Sequence, residues 1–216
     1  MEINSVIILG KGKSALRCTK DYVLQFDKIA ICNYPILKDY PLNFPYKADW
    51  QYRNKSCLDF DKKTFLELGI SKIIYTGFKK DKLTGSNIHN TPVEYPENFE
   101  KTMNKYNLSA STGTQAFIDC INKKIKKISM VGFDLFETNK EVYFFKKEEA
   151  PKNIKNLWGK TYDNNNNTIK IPSGHNTEKT FETMVKLINE NPNISFELYT
   201  NYEPFKKLNI KNLIVK

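Results

Sequence analysis

Five short stretches carry residues that could do chemistry. Gly10-Lys11-Gly12-Lys13-Ser14 follows an apolar run. Glycines at such a turn let the backbone approach a phosphate, and a helix start beyond it stabilises the charge. Ser109-Ala110-Ser111-Thr112-Gly113-Thr114 is a hydroxyl-rich turn before Ala116, Phe117, Cys120 and Ile121 at helical spacing. It reads as a capped helix N-terminus, whose unpaired N–H groups suit an anion. Gly132-Phe133-Asp134 closes the apolar run Ile128–Val131. A strand's carboxyl end is where open α/β sheets place their ligand crevice. Asn33 ends the run Lys28–Cys32 with an amide that can bond a ribose or a base. His175 follows a Gly turn and precedes a patterned helix with Phe181, Met184, Val185, Leu187 and Ile188 on one face. An imidazole reachable by substrate there suits general-base work.

Other chemistries fit less well. The Gly10–Ala15 turn lacks the third glycine of the dinucleotide fingerprint, and Asn33 replaces the acid that holds an adenosine ribose, which disfavours a nicotinamide dehydrogenase. The P-loop pattern is absent. Asp59-Phe60-Asp61 matches the paired carboxylates of metal-dependent sugar-nucleotide enzymes, but Asp61 serves equally as the N-cap of a helix over Lys62–Leu68, and that reading is preferred. His89 lies in a polar stretch and reads as exposed. Cys18, Cys32, Cys57 and Cys120 show no CxxC spacing and read as reduced, mostly buried thiols.

The elements that must position these residues alternate. Strands are expected at Ser5–Leu9, Lys28–Cys32, Ala48–Tyr52, Ile70–Thr76, Ile128–Phe133, Ile194–Tyr199 and Ile210–Val215. Helices are expected over Ser14–Leu24, within Tyr95–Tyr106, after Ser111 and after His175. Residues 78–95 read as a surface loop. The fold class is α/β: a single Rossmann-like domain over residues 1–216, with a mostly parallel sheet flanked by helices. Glu137–Ser173 has little periodicity but several aromatics, Tyr143, Phe144, Phe145, Trp158 and Tyr162, so a flexible lid is expected over about 137–173.

The chain has 216 residues, 40% hydrophobic and 27% charged. No apolar run approaches the roughly 20 residues of a membrane span. Glu2 and the early Gly turn argue against a signal peptide, so a cytoplasmic protein is expected. Thirty-four basic against 24 acidic residues give +10. The plain reading is a Lys-rich solvated surface. The functional readings are a phosphate-bearing substrate, an anionic membrane or nucleic acid, and no RNA-binding signature supports the last.

Four segments, VIILGKGKSAL, IAICN, STG with GFDLF, and GHNTEKTFETM, resemble in order and spacing the bacterial sialyltransferases of glycosyltransferase family 42. The resemblance spans Val6 to about Tyr199. It implies a metal-independent glycosyltransferase with no cofactor, CMP-sialic acid as donor, a glycan or glycolipid acceptor and an inverting direct displacement. It implies work in lipopolysaccharide or capsule synthesis, with peripheral contact at the inner membrane face and a homo-oligomer left open. Gly10, Gly12 and Ser14 would lie at the nucleotide phosphate and ribose, and Asn33 at the cytidine. Gln51 would join the donor-binding set. Ser111, Thr112 and Gly113 would hold the donor, and Gly132, Phe133 and Asp134 would line the nucleotide pocket. His175 would deprotonate the acceptor. Phe136 stands where the family has a tyrosine, and Tyr143 or Tyr162 would supply that phenol. Asn107, Leu108 and Ser109 stand where the family carries an arginine. A non-catalytic nucleotide- or glycan-binding protein, or a transferase using another nucleotide sugar, are the alternatives.

Overall fold

Runs such as Val6–Leu9 and Ile29–Cys32 are apolar at every position, and Ile128–Val131 is apolar but for the buried Ser129. Such strands need cover on both faces, which parallel sheets with flanking helices provide. The computed structural model has that arrangement. It describes residues 2–33, 47–53, 68–76, 91–96, 99–108, 111–135 and 176–216.

In chain order the elements are β1 (Ser5–Leu9), a 3-10 turn (Lys13–Arg17), α1 (Lys20–Val23), β2 (Lys28–Cys32), β3 (Trp50–Arg53), β4 (Lys72–Tyr75) and β5 (Val93–Glu94). They continue with α2 (Phe99–Tyr106), α3 (Thr112–Asn122), β6 (Lys127–Val131), α4 (Thr177–Glu190), β7 (Ser195–Tyr199), α5 (Glu203–Lys206) and β8 (Leu213–Val215). The strands form one open sheet in the order β5-β4-β3-β2-β1-β6-β7-β8. Every pair is parallel, and β1 sits between β2 and β6 with Ile7 opposite Ile29 and Ser129. The chain thus winds outward from β1 to β5, then returns beside β1 and winds the other way. That reversal is the topological switch point of an open α/β sheet.

One face packs Val6, Ile8, Trp50, Tyr52 and Met130 against Phe117 of α3, Leu187 of α4 and Phe205 of α5. The other packs Ile7, Leu9, Ile31 and Ile73 with Ala15, Cys18 and Val23. α3 is the central helix: every residue from Thr112 to Ile121 is buried.

Two expectations change. Ser14–Leu24 is not one helix. The chain is extended at Cys18, which is buried, and Thr19 then caps α1 by accepting from the Tyr22 N–H. A capping residue inside an apolar pattern restarts the helix. Residues 78–95 are not all loop either, because Val93–Glu94 pairs with Ile73–Ile74 as an edge strand too short to show alternation. Cys18, Cys32 and Cys120 are free and buried, as expected.

Candidate functional site

The carboxyl ends of β1, β2, β3 and β6 and the start of α3 bring most of the expected residues together. Three sets of contacts build the site.

The first set joins the turns after β1 and β6. The Gly10 N–H donates to the Val131 carbonyl at 2.7 Å and the Gly12 N–H to the Gly132 carbonyl at 2.9 Å. The Ser14 N–H donates to Asp134 Oδ2 at 3.0 Å, and the buried Ser14 hydroxyl donates to the Tyr199 carbonyl at 2.8 Å. Asp134 Oδ1 accepts from the Asn201 N–H at 2.7 Å. Gly132 has φ 74°, and a Cβ there would stand 2.9 Å from Gly10 C and Gly12 N. A Cβ at Gly12 would stand 2.5 Å from Asp134 Oδ2. The expected reason for these glycines was approach to a phosphate. The structure gives a different one: two turns separated by about 120 residues of sequence are pressed backbone to backbone. The amide protons of Gly10, Gly12 and Ser14 point at protein acceptors, so anion binding at this turn does not rest on them.

The second set lies one strand over. Asn33 takes the left-handed conformation, φ 57°, at the end of β2. Its Nδ2 donates to Thr112 Oγ1 at 3.1 Å. Gln51 Nε2 donates to the Asn33 carbonyl at 2.9 Å. A carboxamide at the end of β2, one on β3 and a hydroxyl at the first turn of α3 therefore form one chain of contacts.

The third set links the other two. Gly113 lies under the Phe133 ring, so close that a Cβ would fall 2.3 Å from Cε1. Ser111 caps α3, its hydroxyl accepting from the Thr114 N–H at 3.3 Å. That leaves the earlier N–H groups of the helix without intrahelical partners, at the positive end of the dipole. This helix start faces the switch point, with Thr112 bonded to Asn33 and Gly113 under Phe133.

Behind the site, Tyr52 donates to Asp119 Oδ2 at 2.7 Å, and Lys123 also bonds Asp119 and Glu94. These buried contacts fasten α3 to β3 and β5. Burial pushes the Cys120 thiol up to about 12, with the Tyr52 hydroxyl 3.6 Å away, so it is no nucleophile.

Phe136, Tyr143, Tyr162, His175 and the lid segment 137–173 lie outside the described residues, as do Asp59, Asp61, His89 and Cys57. The chain re-enters at Asn176, which caps α4 by accepting from the Lys179 N–H at 2.8 Å. Thr177 Oγ1 donates to the Leu135 carbonyl at 2.7 Å, which ties the start of α4 to the end of β6. Thr177, Tyr199, Thr200 and Asn201 were not singled out in the sequence. Their contacts run to residues 42 to 185 positions away, which no local pattern encodes.

No protein-family model matches the chain, and no curated protein sequence matches it significantly. Solved structures do. The fold is shared with sialyltransferases. The sialyltransferase CstII from Campylobacter jejuni, in complex with the substrate analogue CMP-3FNeuAc, is 18% identical with a TM-score of 0.63, covering 90% of this chain and 81% of its own. The monofunctional α-2,3-sialyltransferase Cst-I from the same organism is 18% identical with a TM-score of 0.62, over 92% of this chain and 76% of its own. CST-II in complex with a trisaccharide acceptor and CMP is 16% identical with a TM-score of 0.56, over 95% of this chain and 88% of its own. Among the described residues, no helix is long and apolar enough to cross a membrane, and no group of three His, Cys, Asp or Glu is placed to hold a metal ion.

Proposed function

We propose that this chain is a sialyltransferase-like glycosyltransferase that moves a sugar, with CMP-sialic acid as donor, onto a glycan or glycolipid acceptor without a metal. One observation carries the reading. A helix start, two carboxamides and the Gly132–Asp134 turn converge at the switch point of an all-parallel sheet. The same fold is found in proteins solved with CMP, a CMP-sugar analogue and a trisaccharide acceptor, which supports it.

The start of α3, at Ser111, Thr112 and Gly113, would take the anionic part of the donor. Asn33, Gln51, Gly132, Phe133 and Asp134 would shape the pocket around it, with Gly10, Gly12 and Ser14 holding the β1 and β6 turns in register. His175 would accept the acceptor hydroxyl proton as that oxygen bonds the anomeric carbon. The bond from that carbon to the phosphate oxygen breaks, and CMP leaves with the electron pair. Tyr143 or Tyr162 would donate a hydrogen bond to the departing phosphate. A net charge of +10 supports an anionic partner, with peripheral contact to anionic lipid as its membrane form.

A thermal-shift screen with CMP, UDP, GDP and their sugar conjugates tests the donor. The cytidine ligands should raise the melting temperature most, and a preference for UDP overturns the sialyltransferase-like assignment. His175→Ala should lower turnover about 10²–10⁴-fold with donor affinity kept; turnover at the wild-type rate removes His175 as base. Phe136, standing where the family has a tyrosine, favours a second reading, a binding protein on the same fold. Tight CMP binding with no turnover on any acceptor would decide for it.

A further inference from the structure

Among the described residues, the large apolar side chains that stand more than half exposed are Leu16, Leu24 and Ile214, at 53%, 54% and 52%. They share one face of the sheet. Side chains along a strand alternate between faces, and neighbours in register point the same way. Ile214 is in register with Glu197 across β7 and β8. Glu197 meets Tyr22 of α1, so Ile214 points to the α1 side. Leu16 lies on the 3-10 turn and Leu24 directly follows α1. Ala15 and Val23, one residue before each, pack on that same face. Two cations join these pieces. Arg17 Nη2 donates to the Thr200 carbonyl at 2.8 Å and to the Lys216 carbonyl at 3.0 Å, which ties the turn to the end of β8. Lys216 Nζ lies 4.3 Å from the centre of the Tyr22 ring, which ties β8 to α1.

Single exposed aliphatics need no explanation, but three on one joined face mark an interaction surface. The charge says which partner. Arg17, Lys20, Lys127 and Lys216 stand on this face against Asp21 and Glu197, and Glu197 is buried under Lys127 and Lys216. Separate aliphatic tips among basic side chains suit the boundary between anionic headgroups and acyl chains. Strand addition by a second copy suits the face less. β8 has three residues, and Lys211 and Lys216 flank it, which guards a sheet edge. We propose that the face formed by the 3-10 turn, α1 and β8 seats on an anionic lipid surface, with Leu16, Leu24 and Ile214 entering the headgroup layer. This deepens the peripheral lipid contact of the reading above by naming its surface. Leu16 lies two residues beyond Ser14, so the same face borders the candidate site and holds its rim toward the bilayer.

Vesicle sedimentation tests this, with vesicles of phosphatidylcholine alone and vesicles that also contain phosphatidylglycerol. The wild type should bind the anionic vesicles about tenfold more tightly. Leu16→Ser/Leu24→Ser/Ile214→Ser should bind them about tenfold more weakly than the wild type. Lys20→Gln keeps the apolar tips and should bind about fivefold more weakly at low salt. Lys101→Gln, on α2 at the opposite face, should bind as the wild type does. Wild-type binding by both the triple variant and Lys20→Gln overturns the proposal. So does a wild type that binds neither vesicle, or a loss in Lys101→Gln equal to that in Lys20→Gln. A dimer seen by light scattering in the wild type and lost in the triple variant assigns the face to a second copy and overturns it too. CMP titration is read separately: a protein that binds anionic vesicles through this face and binds no cytidine ligand keeps the surface and loses the donor reading.

Discussion

At Gly113 a hydrogen atom occupies space that no methyl group could share with the Phe133 ring. The ring is itself 7% exposed and packed in the core, so it yields only at a cost. Gly113→Ala should destabilise the fold by about 1–3 kcal/mol, and adding Phe133→Leu should recover part of it; urea unfolding of the single and double variants checks both. Asp134 sits at the other side of the site with its two oxygens on the N–H groups of Ser14 and Asn201. Asp134→Ala should cost about 1–3 kcal/mol by leaving both donors unpaired, and Asp134→Asn, which keeps one acceptor, should cost less. A loss of nucleotide affinity in Asp134→Asn with little loss of stability would show that the carboxylate also serves the ligand. The thiols give a third test. Burial pushes Cys18 up to about 11 and Cys120 to about 12. Neither should be alkylated at pH 8 in the native state, and mass spectrometry should find both labelled once urea unfolds the chain.

Among the elements, β7 carries an ion cluster around Glu197. Glu197 Oε2 accepts from the Tyr22 hydroxyl at 2.5 Å and from Lys216 Nζ at 2.7 Å, and Lys127 Nζ reaches Oε1 at 2.7 Å. Burial alone would raise the carboxyl. The bonds from Lys127, Lys216 and Tyr22 outweigh it and hold the group at about 2. Burial and the same contact with Glu197 hold the Tyr22 phenol far above its ordinary range. The cluster ties α1, β6, β7 and β8 together across one sheet face. Because the folded value lies below the unfolded one, the stabilisation is present above about pH 4.5 and is lost as pH falls toward 2. Glu197→Gln should cost about 1–2 kcal/mol at pH 7, allowing for solvent around the half-exposed lysines. It should also flatten the stability profile between about pH 4.5 and 2. A profile as steep as the wild type's would assign the acid sensitivity to other carboxylates.

On the scale of the whole molecule, the strand order decides where a ligand can sit. β1 lies between β2 and β6, so the chain's first turn and the turn after its sixth strand face each other at one edge. The chain carries a net charge of +10. If the ligand is a nucleotide, the field should draw it in. CMP affinity should then fall several-fold between about 50 mM and 500 mM salt. An affinity independent of salt would mean that the positive charge serves another partner.

The amino-acid sequence alone determined the class of the fold. Its apolar runs without alternation read as strands buried on both faces, and the hydroxyl-rich turn at Ser111 set where α3 begins. Periodicity and capping act over a few residues, so they are legible locally. The same short range explains the misses: a two-residue strand at Val93–Glu94 has no period, and a cap at Thr19 interrupts a pattern that looks continuous. What only the tertiary structure decided are the partners. That Gly10 and Gly12 face Gly132 and Asp134, that Asn33 bonds Thr112, and that Asp134 holds Asn201 all depend on strand order and close approach between distant segments. The unsatisfied oxygen of Gln51 is the clearest case. Its full burial on β3, with its nitrogen on the Asn33 carbonyl, is set by the packing of distant segments.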